Sequence, residues 1–296
     1  MNLLDVCRLV DQALSEDLGP GDITTDSVVS PDASARGEII SRAKGVAAGI
    51  PVAGLCFRRL DSRVSFEQAV EDGARLSKNQ VMARVSGPAA SILKAERVAL
   101  NFLQRLSGIA TLTAKFVDAA RGYPVRILDT RKTTPGMRTL EKYAVRAGGG
   151  HNHRYGLYDG ILIKDNHLMF QAAGPETEAG DPPADAVAAA VTAARAGAGH
   201  LQKIEVEAET LEQVRQAVRA GADAILLDNM DIETLRKAVG IVRRSKKQIL
   251  LEASGNVSLR TVGKIAATGV DAISIGALTH SPPALDISLD LAASGR

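Results

Sequence analysis

No tryptophan occurs in the chain, and aromatic residues of all kinds make up 3% of it. Surfaces that hold nucleic-acid bases by stacking need such rings, so a base-stacking platform is not expected. Cysteine is almost as scarce: Cys7 and Cys56 stand alone and far apart. Two distant thiols exclude a disulfide framework and fit a reducing compartment, which makes the cytoplasm the expected location. A run of about 18 apolar residues is missing, so no segment is expected to span a membrane. The opening MNLLDVCRLVDQALSEDLG alternates apolar and charged groups at helical spacing, without the basic start and apolar block of a signal peptide. An excess of one charge is absent as well, with 36 lysines and arginines against 34 aspartates and glutamates. Neither nucleic acid nor a membrane surface is therefore an expected partner, and function must come from local constellations.

What is present is a chain of 296 residues with 45% hydrophobic content, enough for one large core or two moderate ones. The N-terminal third reads as α+β: an opening helix, then short β-branched runs at Arg36 to Ser41 and Arg63 to Val70 between glycines. From Ser91 to Gly122, apolar residues recur every three or four positions, which predicts helices joined near Gly108. Beyond it, short apolar strands alternate with amphipathic helices, the pattern of parallel βα units. Six strands are expected, at Val125 to Asp129, Gly160 to Lys164, Lys203 to Val206, Ala224 to Asp228, Ile249 to Glu252 and Ala272 to Ile275. Helices are expected at Thr139 to Ala147, Asp185 to Ala196, Leu211 to Ala220, Ile232 to Ser245 and Leu259 to Thr268. Ala220-Gly221-Ala222-Asp223 is echoed by Thr268-Gly269-Val270-Asp271, and such repetition points to a barrel. The Pro-, Gly- and Glu-rich segment Ala172 to Ala184 reads as an exposed loop.

Each predicted strand ends in a polar or small residue: Asp129 and Arg131, Lys164, Glu205 and Glu207, Asp228, Glu252 and Ser254, and Gly276. A single charge at a strand end is ordinary, because the chain reaches water there. Six strands doing so with both signs is a different matter. The C-terminal strand ends of parallel α/β barrels build the active site, so these side chains should converge.

Asp129-Thr130-Arg131-Lys132-Thr133-Thr134-Pro135-Gly136 places two cations beside the hydroxyls of Thr130, Thr133 and Thr134, a set suited to carboxylate or phosphate. Gly148-Gly149-Gly150 lets the backbone approach a ligand, and Arg154 adds a second guanidinium fork. His151 and His153 lack further zinc ligands at suitable spacing and read as hydrogen-bonding groups. Lys164 suits either an anion or, if desolvated, a Schiff base. Glu205 and Glu207 share one face of their strand, while Glu209 reads as the start of the next helix. With Asp228 they suit magnesium bridged by a polyphosphate. Ser254-Gly255-Asn256-Val257 before a helix, and Gly276-Ala277-Leu278-Thr279 after the last strand, read as a phosphate site.

Glu16 through Thr25, Glu96-Arg97 through Gly108, Asp129 through Gly136, Gly148 through Arg154, Leu162 through His167 and Leu226 through Asn229 closely resemble quinolinate phosphoribosyltransferases. Glu252 through Asn256 and Ile273 through Thr279 continue the resemblance, which covers nearly the whole chain in order. It implies an α/β fold: an incomplete (β/α) barrel of about six strands over 113–281, with an N-terminal α+β sandwich domain over 1–112. The tail 282–296 is expected to join that first domain. It also implies a homodimer with active sites shared between subunits. Quinolinate and phosphoribosyl pyrophosphate would be the substrates, and magnesium the cofactor. Arg131, Arg154 and Lys164 should hold the two carboxylates of quinolinate, with Arg105 reaching in from the partner subunit. Lys132 and His153, beside Thr130, should serve substrate or pyrophosphate. Glu205 and Asp228 should face the ribose hydroxyls and, through substrate or water, magnesium; with Lys132 they are the expected catalytic residues. Ser254, Gly255, Asn256, Gly276, Ala277 and Leu278 should take the 5′-phosphate. Two other readings remain open here: a Schiff-base aldolase using Lys164, and a ligand-binding paralogue associated with molybdenum transport.

Overall fold

A computed structural model describes residues 3–170 and 185–293. In chain order the elements are α1 (Leu3–Leu18), α2 (Ile23–Val28), β1 (Ser34–Ser41), β2 (Gly45–Val46), α3 (Ile50–Leu60), β3 (Ser65–Gln68), β4 (Arg75–Leu76), β5 (Gln80–Pro88) and α4 (Ala89–Ala119). There follow β6 (Arg126–Leu128), α5 (Arg138–Ala147), β7 (Ile161–Ile163), α6 (Asp165–Leu168), α7 (Ala186–Gly197), β8 (Ile204–Ala208), α8 (Leu211–Ala220) and β9 (Ala224–Asp228). The chain ends with α9 (Ile232–Arg244), β10 (Leu250–Ser254), α10 (Val262–Ala266), β11 (Ala272–Ser274), α11 (Ala277–His280) and β12 (Ile287–Ala293). The loop expected over 172–184 lies outside the described residues.

Two compact units emerge. The first comprises Met1–Lys115, Lys132–Gly150 and Ala277–Arg296. Its main sheet is antiparallel with strand order β12-β1-β5-β3, so the last strand of the chain pairs with the first. α1 turns Val6, Val10 and Leu14 inward, a four-residue spacing that keeps one helix face apolar. α4 is one continuous helix of 31 residues, which corrects the expected break near Gly108. Gly108 serves packing instead: a Cβ there would lie 2.2 Å from the Pro283 carbonyl oxygen. A glycine in mid-helix need not end the helix when close backbone approach is the reason for it.

The second unit comprises Phe116–Arg131 and His151–Gly276. Its sheet is wholly parallel with order β6-β11-β10-β9-β8-β7. Among the described residues no ladder joins β6 to β7, so the barrel is open there, as an incomplete (β/α) barrel requires. Ala224, Ile225, Leu226 and Leu227 are all buried, because helices on one side and barrel interior on the other leave neither face of a parallel strand to water. The six strands and their helices fall close to the expected positions, although α10 is only five residues long.

The echoed tetrapeptides do the same job twice. Gly221 (φ +79°) and Gly269 (φ +91°) take left-handed backbone where a helix turns back to the sheet. Asp223 then accepts the Ile204 backbone N–H at 2.8 Å and pairs with Arg195 at 2.8 Å. Asp271 accepts the Leu251 N–H at 2.8 Å and pairs with Arg243 at 2.7 Å. Each aspartate ties the start of a neighbouring strand to the preceding helix, so the sequence echo corresponds to a structural repeat.

Candidate active site

The polar residues of the second unit gather at the C-terminal ends of its strands, where the barrel geometry directs them. His153 is their hub. Asp129, fully buried just past β6, accepts the His153 backbone N–H at 2.9 Å and a bond from the Asn152 amide. The His153 Nδ1 accepts the Arg154 backbone N–H at 2.7 Å, so its lone pair is used there and the ring proton belongs on Nε2. Nε2 lies 3.0 Å from Glu205 Oε2 and 3.6 Å from Glu252 Oε2. Glu252, at 5% exposure, has its carboxyl pushed up to about 7 by burial first and then by the Glu205 charge, against opposing pulls from His153 and Ser274. Its Oε1 is buried and has no hydrogen-bond partner among the described residues.

A second carboxylate group lies alongside. Glu207, Glu209 and Asp228 bring ligand-capable oxygens within 4.8 Å of one another. Lys164, the residue before α6, stands 3.3 Å from Glu207. Burial raises the Glu207 carboxyl above its ordinary range, with Lys164 opposing and Asp228 reinforcing the rise. Glu205 and Glu207 therefore share a strand face but enter different clusters. The carboxylates expected to share magnesium are divided likewise: Glu205 sits with His153 and Glu252, and Asp228 with Glu207 and Glu209. The reading of Glu209 as the start of a helix is corrected, because α8 begins at Leu211. There Thr210 caps the helix and Gln213 returns to the Glu209 and Thr210 backbone N–H groups at 2.8 and 3.0 Å.

Arg154 donates from Nη1 to the Gly160 carbonyl at 2.9 Å. Burial lowers its affinity for the proton, the charge of Arg131 lowers it further, and Glu205 opposes. An anionic ligand would offset the like charge.

Ser254-Gly255-Asn256-Val257 precedes a helix as expected, although α10 starts only at Val262, and Gly255 and Asn256 take left-handed backbone with φ of +93° and +48°. A Cβ on Gly255 would fall 2.1 Å from Asn229 Oδ1, and Asn256 donates to that oxygen at 3.2 Å. Asn229 therefore shapes the turn that follows Ser254. Gly276 precedes the single turn of α11, which contains Ala277 and Leu278.

In the first unit, Arg105 on α4 donates from Nε and Nη2 to Glu141 Oε1 at 3.2 and 2.7 Å, and from Nη2 to the Thr279 carbonyl. Lys132 presents its carbonyl to the Thr279 hydroxyl at 2.8 Å. Two of the three consecutive glycines are also sites of close packing against α4. A Cβ on Gly148 would meet the Ala110 carbonyl at 2.4 Å, and one on Gly150 the Thr113 side chain at 2.8 Å.

Glu141 went unnoticed in the sequence, although its burial with Val145 one turn later marks an inward helix face. Glu252 was given no role beyond its strand-end position. Its alternation with Ser254 along the strand was the available signal for inward orientation.

Comparison with known proteins joins these features to a family. Residues 22–107 match the family model for the quinolinate phosphoribosyl transferase N-terminal domain, and residues 109–290 match the C-terminal domain. A probable nicotinate-nucleotide pyrophosphorylase (carboxylating) of Bacillus subtilis (strain 168) is 45% identical over 99% of this chain and 96% of its own. A nicotinate-nucleotide pyrophosphorylase (carboxylating) of Mycobacterium leprae (strain TN) is 44% identical over 95% of each chain. The crystal structure of NadC from Streptococcus pyogenes superposes with a TM-score of 0.90 at 36% identity, covering 100% of this chain and 99% of that one. With both domain models matched along the chain, it belongs to the quinolinate phosphoribosyl transferase family.

Proposed function

We propose that the protein transfers the phosphoribosyl group of phosphoribosyl pyrophosphate to the ring nitrogen of quinolinate, with loss of carbon dioxide, giving nicotinate mononucleotide and pyrophosphate for de novo NAD synthesis. The observation that carries this reading is the gathering of His153, Arg154, Lys164 and Glu205 at the strand ends, in a chain 45% identical to a relative named for that chemistry. Quinolinate is a dianion, and paired guanidinium forks are the groups that grip two carboxylates. Lys164, already paired to the carboxylate of Glu207, supplies a further cation, and Arg105 is proposed to add another from the partner subunit. That ion pair favours the anion-binding role of Lys164 over an amine nucleophile.

The ring nitrogen forms a bond to the anomeric carbon as the bond to pyrophosphate breaks. Glu205 is proposed to offset the positive charge that develops on the ribose, while His153 holds it from the side. The quaternised nitrogen then accepts the electron pair left when carbon dioxide departs, and the ring carbon takes a proton. Positioning supplies most of the catalysis, since no protein nucleophile is required. Lys132 and Thr130 are proposed to line the pyrophosphate side, and Ser254, Gly255, Asn256, Gly276, Ala277 and Leu278 the 5′-phosphate.

Magnesium is proposed as the cofactor. The all-oxygen set of Glu207, Glu209 and Asp228 fits a hard cation better than a set containing histidine, so these residues would hold the ion. Bound there, it would neutralise charge on the pyrophosphate. A homodimer and a cytoplasmic location complete the proposal. Both cysteines are free thiols, and no described helix is long and apolar enough to cross a membrane.

The deciding experiment measures carbon dioxide release from quinolinate labelled at the departing carboxyl, with and without phosphoribosyl pyrophosphate. Release only with both substrates is expected. Quinolinate binding without turnover would instead support a binding paralogue.

A further inference from the structure

Glu141 is fully buried on α5, and neither the strand-end pattern nor the family resemblance assigned it a role. Its Oε1 accepts from Arg105 Nε at 3.2 Å, Arg105 Nη2 at 2.7 Å and Thr134 Oγ1 at 2.9 Å. Its Oε2 accepts the Thr134 backbone N–H at 3.1 Å. One carboxylate thus fastens α4 to the turn that carries Lys132, Thr133 and Thr134. Neighbours brace the same turn: Arg138 Nε donates to Thr133 Oγ1 at 3.1 Å, and the Thr279 hydroxyl to the Lys132 carbonyl at 2.8 Å.

Burying an ion pair is a poor route to stability, because desolvation offsets the attraction and apolar residues of similar volume often do as well. What a buried carboxylate with both oxygens engaged does provide is orientation. The described bonds of Arg105 run through Nε and Nη2, so the inner edge of its guanidinium is held against Glu141 and the group cannot rotate without breaking them. Arg105 and Thr134 also line a cavity of about 290 Å³ bordered by Glu16, Asp17 and Asn101. Untethered, a flexible arginine beside two carboxylates would turn towards them; Glu141 fixes it elsewhere.

We infer that Glu141 is a positioning residue: without touching substrate, it sets the direction of Arg105 and the register of the Lys132 to Thr134 turn. This rests on the proposed assignment of Arg105 and Lys132 to the substrates.

The test compares Glu141→Gln, Arg105→Ala, their double variant and Thr134→Val in the full chain by steady-state kinetics with each substrate varied, together with thermal melting. Glu141→Gln keeps the shape and loses the charge. It should melt near wild type and lose about tenfold to a hundredfold in kcat/KM, the scale of a charged hydrogen bond. Most of that loss should appear in KM. On the Arg105→Ala background Glu141→Gln should lose little more, since its effect passes through that arginine. Thr134→Val should show the same KM-weighted loss at smaller size, and it decides the matter should Glu141→Gln fail to fold. Wild-type kinetics in Glu141→Gln, or equal losses with and without Arg105, overturn the inference while leaving the site assignment standing. Full activity in Arg105→Ala would overturn both.

Discussion

Glu205 Oε2 lies 3.0 Å from the Nε2 of His153, whose other ring nitrogen already accepts a backbone N–H. That arrangement commits the ring proton to the carboxylate side and leaves Glu252, 3.6 Å away, as the weaker partner. Glu252 is thus a buried carboxyl beside a negative neighbour, with the His153 ring as its more distant partner.

Its titration should appear in stability. The folded-state pKa is raised from an ordinary 4.5 to about 7. The native state therefore binds the proton more tightly than the unfolded chain. The associated stability is fully present below about pH 4.5 and is lost as pH rises towards about 7. Glu252→Gln should remove that dependence and raise stability at pH 8 by on the order of 3 kcal/mol, with little effect near pH 4. Urea unfolding of both proteins across this range provides the measurement; parallel stability curves would contradict it.

Arg154→Lys keeps the charge but removes the planar fork and the Nη1 bond to Gly160. Loss of transition-state stabilisation should be about 2 to 3 kcal/mol, the scale of one charged hydrogen-bonding interaction. Arg84→Lys, on an exposed strand position, should change kcat/KM little. Equal kinetics in the two variants would remove Arg154 from substrate binding.

Excess chelator should abolish turnover, and added magnesium should restore it. Asp228→Asn should raise the magnesium concentration for half-maximal rate several-fold, since it removes one of three clustered carboxylates. An unchanged magnesium dependence in that variant would place the ion elsewhere.

If Arg105 serves the partner's substrate, Arg105→Ala and Arg154→Ala homodimers should each be nearly inactive. A heterodimer of the two would lose both residues from one site and keep both in the other. Co-refolding should then recover activity. Verified heterodimers without carbon dioxide release would rule out a shared site.

Gly108→Ala pits two effects against each other. Alanine gains up to about 1 kcal/mol in helix propensity, but its Cβ would lie 2.2 Å from the Pro283 oxygen. Overpacking of about 1 to 3 kcal/mol should win, and the melting temperature should fall. A rise would show that the 283–285 segment yields easily.

Much of this was legible in the chain. Strand and helix positions in the second unit were readable because parallel βα units impose strong local periodicity, and so were the polar strand ends that follow from them. Gly221 and Gly269 announced a repeat because left-handed helix ends demand glycine locally. By contrast, the break expected near Gly108 was a misreading, and the packing at Gly148 and Gly255 was not readable. What excludes their side chains is Pro283, Ala110 and Asn229, residues distant in sequence or on another element.

The sequence by itself determined the α/β alternation, the cationic and carboxylate inventory and the family, since these depend on spacing and residue type along the chain. Only the tertiary structure decided how that inventory divides. Glu205 and Glu207 are two residues apart on one face of β8, yet the first meets His153 and the second Lys164. Glu141 holds an arginine 36 positions away. Pairing across such separations is set by which strands and helices lie side by side, because electrostatic partnership depends on distance in space and burial, and neither is written in local order.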